Sequence, residues 1–155
     1  VVKQFLILEK EDPEAEIKIM INSPGGEIYS GLAIYDISKF ISCPITTIVM
    51  GLAASMGSVL SLAGDDGRRL SLPNARILIH QPLLMGAEGA ATDLEIQSKQ
   101  IIKTRKLLAE MYAEKTGKST TQILKDLDRD HWMTADEALK YGLIDRIITS
   151  RAELD

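Results

Sequence analysis

Two turns of small residues, Ser23-Pro24-Gly25-Gly26 and Gly51-Leu52-Ala53-Ala54-Ser55-Met56-Gly57, carry the chemistry that can be read in this sequence. Each follows an apolar run of strand character and precedes a helical pattern, which leaves backbone N–H groups free to point at an anion. The second turn also presents the Ser55 hydroxyl at the first turn of its helix. A nucleophile beside an anion-stabilising backbone is what acyl transfer needs.

A serine nucleophile requires a base near neutral pH, usually imidazole, and the chain has only His80 and His131. His80 ends the apolar run Arg76-Ile77-Leu78-Ile79 and precedes Gln81-Pro82, which turns the chain. The carboxyl end of a strand is where α/β sheets place ligands and catalytic groups. A hydrogen-bonded rim histidine is the ordinary alternative. His131 lies beside charges and Trp132 in a polar stretch and reads as a solvated loop residue. Ser55 stands out among serines at helix starts because Ala53, Ala54 and Gly57 leave room for another chain; a small residue chosen for close packing is the competing explanation. The turn is not the Gly-x-Ser-x-Gly elbow of α/β-hydrolases. Composition leaves the orienting acid open among Asp65, Asp66, Asp93, Asp128, Asp130 and Asp145, with Trp132-Met133 able to shield Asp130 from water.

Other chemistries are poorly supported. No Gly-x-x-x-x-Gly-Lys occurs, and two isolated histidines with the lone Cys43 do not form a plausible zinc set. A net charge of −4 gives no reason to expect nucleic acid or an anionic membrane as partner. One cysteine excludes an internal disulfide and fits a reducing compartment. The first residues do not read as a signal peptide, and no uninterrupted apolar run reaches the ~18 residues of a membrane span. Residues 45–63 are uncharged but broken by threonine, serine and glycine, as a strand followed by a buried helix would be.

The elements that must position these groups alternate. Residues 1–8 read as the last turns of a helix; Ile17 to Ile21 is a β-branched strand; Gly31 to Ile41 has near-helical spacing and stops at Pro44. Ile45 to Met50 is a strand with almost no polar face, and Ser55 to Ala63 a buried helix. Two short strands, Arg68–Leu72 and Ala75–His80, flank Pro73-Asn74. Thr92-Asp93-Leu94-Glu95 has capping-box spacing and opens a helix to Lys115, about 35 Å long. Its charges are scattered round the surface, so part of it should project from the core. Ser119 with Gln122, and Thr134 with Glu137, announce two more capped helices around a turn at Asp128–His131; Leu143–Ile148 closes as a strand. At 155 residues this is one α/β domain with a long helical arm.

In five blocks the sequence resembles the proteolytic-subunit family of caseinolytic proteases, ClpP. These are Ile21-Asn22-Ser23-Pro24-Gly25-Gly26, Ala53-Ala54-Ser55-Met56-Gly57, Arg76 to Pro82, Asp128-Arg129-Asp130, and Glu137-Ala138 with Tyr141 to Asp145. The resemblance spans essentially the whole chain. It implies a crotonase-like α/β peptidase domain over residues 1–155, with a handle region at about 83–116. It implies a serine endopeptidase whose triad is Ser55 as nucleophile, His80 as base and Asp130 as acid, with the backbone N–H groups of Gly26 and Met56 as oxyanion hole. It also implies two stacked heptameric rings interlocked by their handles, with Asp128 and Arg129 in ring–ring contacts that couple assembly to an ordered triad. The implied partners are unfolded polypeptide and an AAA+ Clp ATPase. The subunit itself would need no cofactor or metal, since ATP is used by the partner. The implied location is bacterial cytoplasm, or an organelle matrix or stroma.

The sequence also departs from the family pattern. The family's axial loop and initial strand are absent here, Leu52 stands where glutamine is usual, Ser58 where alanine is more common, and Leu83–Ala90 is one residue longer. Such changes resemble a paralogue, and no triad member is lost. Two other readings stay in play: a silent or dependent ring subunit needing a paralogue, and a crotonase-type acyl-CoA enzyme.

Overall fold

A computed structural model describes residues 1–84, 86 and 88–154. It is a mixed α/β architecture organised around one central strand. Helix α1 (Val2–Glu11) leads into β1 (Ile17–Ser23), α2 (Ile28–Phe40), β2 (Ile45–Ala54) and α3 (Met56–Ser61). Then follow β3 (Arg69–Ser71), β4 (Arg76–Ile79), the 26-residue α4 (Ala91–Thr116), α5 (Thr120–Asp126), β5 (His131–Thr134), α6 (Ala135–Tyr141) and β6 (Arg146–Ile147).

Strand β2 is the hub. It pairs in parallel with β1 over Ile17–Ile21, with β3 through Thr47–Val49, and with β4 through Leu52–Ala54. β6 extends β3 in parallel, and β5 adds antiparallel to β4, giving the order β5-β4-β2-β3-β6 with β1 branching from β2. Burial on both faces explains the continuous run Ile45-Thr46-Thr47-Ile48-Val49, every residue of which is buried. Each fully buried Ile or Val side chain contributes about 1.5–3 kcal/mol to that core. The buried Thr47 hydroxyl is satisfied by the Ser61 carbonyl at 2.7 Å, which also ties α3 back onto the strand.

The main core joins Val49, Ala53, Met56, Val59 and Ile77 from the sheet and α3 to Leu108, Ala109 and Tyr112 of α4 and Leu143 beyond α6. Only the C-terminal part of α4 contributes. Its earlier turns leave Ile96 and Ile102 exposed at 58% and 65%, so the expected projecting arm is present. Gly117 closes α4 in the left-handed conformation at φ 69°.

The structure corrects the sequence at several points. Helix α4 starts after Ala90 without any side-chain cap, so Thr92 and Glu95 have capping-box spacing but make no capping box. Position, not spacing, decides this: Thr92 already lies inside the helix. Helix α2 starts three residues earlier than predicted, because the Glu27 carboxylate accepts from the Tyr29 and Ser30 amides at 2.9 and 2.7 Å. Residues 51–54, predicted as turn, continue β2 because β4 offers them a partner. His131 is no loop residue: it begins β5, half-buried and edge-on to the Tyr141 ring at 5.5 Å. The strand expected at Leu143–Ile148 shrinks to Arg146–Ile147. The predicted caps at Ser119 and Thr134 do form, the second as a full capping box with Glu137. In the expected handle region, Met85 and Ala87 lie outside the described residues, and their described neighbours form no strand.

Candidate active site

Ser55 sits where β2 ends and α3 begins, with φ 54° and ψ −124°. It is the one non-glycine residue at positive φ among the described residues. A side chain there costs on the order of 1–3 kcal/mol and persists only when the surroundings over-determine it. Those surroundings are visible. The Ser55 amide donates to the Leu78 carbonyl at 2.9 Å, and its carbonyl accepts from the Ser58 and Val59 amides at 2.9 and 3.3 Å. The half-buried side chain makes no hydrogen bond among the described residues, so its hydroxyl is available.

The two small-residue turns pack against each other. A Cβ on Gly25 would stand 2.7 Å from both the Ala54 carbonyl oxygen and the Ser55 Cβ, and 3.1 Å from the Met56 nitrogen. Only glycine, here at φ 95°, permits that approach. A Cβ on Gly26 would meet nothing within 4 Å, so that residue faces open space beside the serine. The Asn22 side chain reinforces the join by accepting from the Leu52 amide at 3.2 Å, and the Ser23 hydroxyl accepts from the Gly25 amide at 3.1 Å. The Met56 amide is the first of α3 and has no acceptor in its own helix. Sequence reasoning singled out the glycines but not Asn22; its place between an apolar strand and Ser-Pro-Gly-Gly was the available signal.

His80 follows β4 directly. One step beyond the Ala54–Leu78 register pair lie Ser55 and Ile79, and His80 comes next. The Ser55 and His80 side chains thus leave the same end of adjacent parallel strands, whose spacing is about 4.7–4.9 Å. Asp130 is brought to His80 by the antiparallel strand, because Ile79 opposes His131. The imidazole Nδ1 is 3.7 Å from the Asp130 Oδ1; the histidine side chain is 16% exposed and the aspartate 65%. That distance is longer than a hydrogen bond. No hydrogen bond joins Ser55 to His80 among the described residues. A hollow of about 420 Å³ beside His80 is lined by Gln81, Leu83, Asp128, Arg129 and Asp130, and Ser55 does not line it.

The segment carrying Asp130 is anchored through backbone carbonyls. The Gln81 amide donates to the Leu127 carbonyl at 2.7 Å, and its side-chain amide donates to the Asp128 carbonyl at 3.0 Å. Asp128 and Arg129 are both exposed, with the Asp128 carboxylate 3.7 Å from the Arg105 guanidinium and 4.0 Å from that of Arg129. The other candidate acids have structural employment. Asp145 clamps the Arg69 guanidinium at 2.5 and 3.1 Å, and Asp65 accepts from the Ile45 amide at 2.8 Å and pairs with Lys39. Burial acts to raise the Asp65 carboxyl, but the Ile45 amide and Lys39 outweigh it and hold it below the usual range. Asp66 and Asp93 lie elsewhere, near Lys115 and at the start of α4.

Among the described residues no group of three or more His, Cys, Asp and Glu side chains could hold a metal ion. None of the described helices is long and apolar enough to cross a membrane.

Residues 1–151 match the family model described as Clp protease. The chain is 53% identical over 156 residues to the "ATP-dependent Clp protease proteolytic subunit 1" of Protochlamydia amoebophila, covering 100% of this chain and 76% of that protein. It is 48% identical over 153 residues to the "ATP-dependent Clp protease proteolytic subunit" of Deinococcus radiodurans, covering 99% of this chain and 74% of that one.

Proposed function

This chain belongs to the Clp protease family, and from that premise we propose that it is a serine endopeptidase subunit cutting peptide bonds through Ser55, His80 and Asp130. The observation that carries the assignment is the strained Ser55 turn, held open-handed against Gly25-Gly26 at the sheet edge that also bears His80.

The mechanism follows from the donor and acceptor inventory. Once the triad closes, the Asp130 carboxylate accepts a hydrogen bond from the Nδ1–H of His80, leaving Nε2 as the base. The Ser55 Oγ attacks the peptide carbonyl carbon while Nε2 takes the hydroxyl proton. Negative charge develops on the carbonyl oxygen, where the Gly26 and Met56 amides donate to it; losing one such donor typically costs about 2.7–4 kcal/mol of barrier. Collapse breaks the C–N bond, and the imidazolium passes its proton to the departing amine. Water, deprotonated by the same imidazole, then attacks the acyl-serine, releasing the carboxylic acid and returning the proton to Ser55.

The ordering of the triad belongs to the assembled particle on this reading. A 3.7 Å His80–Asp130 contact and a 65% exposed Asp130 favour a subunit that tightens when Asp128 and Arg129 engage a second ring. The same observation favours the narrower alternative of a subunit dependent on a paralogue. The whole chain acts as one peptidase domain whose handle region, about residues 83–116, interlocks two heptameric rings. Unfolded polypeptide enters from an AAA+ Clp ATPase, and the subunit needs no cofactor or metal of its own. A cytoplasmic or organelle-matrix setting suits an enzyme whose single cysteine is buried.

The direct test is labelling with a fluorophosphonate probe. Wild-type protein should be modified at Ser55, and Ser55→Ala should lose the label while keeping its assembly state. Equal labelling of the two proteins would overturn the assignment.

A further inference from the structure

Behind the Ser55 turn lies a buried hydroxyl pair that the peptidase mechanism does not use. The Ser58 hydroxyl donates to the Ser55 carbonyl at 2.7 Å and stands 2.6 Å from the Tyr112 hydroxyl. Ser58 is 0% exposed and Tyr112 is 1% exposed, so both hydroxyls are sealed from bulk solvent. A serine hydroxyl has a single proton. Because Ser58 gives its proton to the Ser55 carbonyl, Tyr112 must be the donor in the second bond. The relay therefore runs one way, from Tyr112 to Ser58 to the backbone of Ser55. Burial pushes the Tyr112 phenol well above its ordinary range, against the opposing effect of Ser58, so it remains a donor.

We infer that Tyr112 and Ser58 are a positioning pair that holds the Ser55 turn in its reactive conformation and fastens it to α4. The inference rests on Ser55 being the nucleophile. Three groups converge on the Ser55 carbonyl, the Ser58 amide, the Val59 amide and the Ser58 hydroxyl. Of these three, only the hydroxyl continues to another element, through Tyr112 to α4. Tyr112 lies one helical turn beyond Leu108 on the buried face of α4, the helix whose earlier turns project from the core. Rotation or sliding of α4 therefore either drags the Ser55 carbonyl or breaks a buried bond, and each bond in such a chain strengthens its neighbour. A core needing only volume here would be served by apolar side chains, without two oxygens to satisfy.

The test uses the full chain as wild type, Tyr112→Phe, Ser58→Ala, the double variant and Ser55→Ala. Fluorophosphonate labelling time courses separate the limiting acylation rate from the half-saturating probe concentration, and thermal unfolding is followed in parallel. Tyr112→Phe and Ser58→Ala should each lower the limiting rate about threefold to tenfold, the scale of one lost buried hydrogen bond. The half-saturating concentration should not change. The double variant should be no slower than Ser58→Ala, because Tyr112 acts only through Ser58. Limiting rates equal to wild type in both single variants, or effects that multiply in the double variant, would overturn the inference even if unfolding temperatures fall. If Tyr112→Phe does not fold, the limiting rate of Ser58→Ala alone decides. A wild-type chain left unlabelled at Ser55 within the assembled particle, its own or one shared with a paralogue, overturns the nucleophile assignment, and this inference falls with it; labelled wild type with unaffected variants overturns the inference alone.

Discussion

At the scale of single residues, the candidate site depends on two violations of ordinary preference. Ser55 occupies a positive φ that its side chain disfavours, and Gly25 approaches a backbone that any other residue would strike. Asp130 is the weakest member of the proposed triad in the isolated chain, since it is mostly exposed and its carboxylate lies beyond hydrogen-bond reach of His80. Asp130→Asn should nonetheless slow peptide hydrolysis by the assembled protein on the order of 10³–10⁴-fold, because an amide favours the wrong imidazole tautomer. Steady-state turnover of a fluorogenic peptide measures this, and a variant as fast as wild type would remove Asp130 from the triad. The serine was legible from its small neighbours and the base from the scarcity of histidine. Asp130 was not singled out by composition, because only the β4–β5 register carries it to His80.

At the scale of elements, helix ends and their caps fasten the helices to the sheet. Arg69 is 8% exposed and forks onto Asp145 while also donating to the carbonyls of Lys115 and Gly142 at 3.2 and 2.9 Å. One guanidinium thus closes the C-terminal ends of α4 and α6 against β3. Arg69→Ala should lower unfolding free energy by about 3–5 kcal/mol, near the lower value because Asp145 keeps some access to water. Denaturant titration would measure the loss; an unshifted midpoint contradicts the clamp. The capping box of α6, directly after β5, carries a pH signature. The Thr134 amide, then the Thr134 side chain, holds the Glu137 carboxyl below its ordinary 4.5. A depressed folded-state value means the stabilisation is complete above pH 4.5 and lost as pH falls through the lower folded value. The unfolding temperatures of wild type and Glu137→Gln should therefore differ above pH 4.5 and converge below it. A gap that does not narrow in acid would show that ionised Glu137 is not its source.

At the scale of the whole molecule, the isolated chain leaves apolar surface that a second copy would cover. Ile96, Ile102 and Leu107 on α4 are exposed at 58%, 65% and 45%. An arm this long cannot bury such residues on its own core, which α4 reaches only near its C-terminal end. Ile102→Glu should reduce the particle mass measured by light scattering and lower peptidase activity in parallel, while leaving the far-ultraviolet circular dichroism of the subunit intact. Full-sized particles from this variant would show that the arm is not the assembly surface. The long helix and its projection were readable from its length and scattered charge. Its capping was not, because a cap depends on which residue actually precedes the first turn, and Thr92 already lies within the helix.

Neighbours along the chain were enough to place the alternation of strands and helices, the small-residue turn that carries Ser55, and the caps at Ser119 and Thr134. Tertiary structure alone decided that residues 51–54 are strand, that His131 is in the sheet, and that Tyr112 meets Ser58 across 54 positions. Those outcomes depend on partners remote in the polymer, which local propensity cannot register. The same reason separates the residues that define the site from the contacts that hold them to their task.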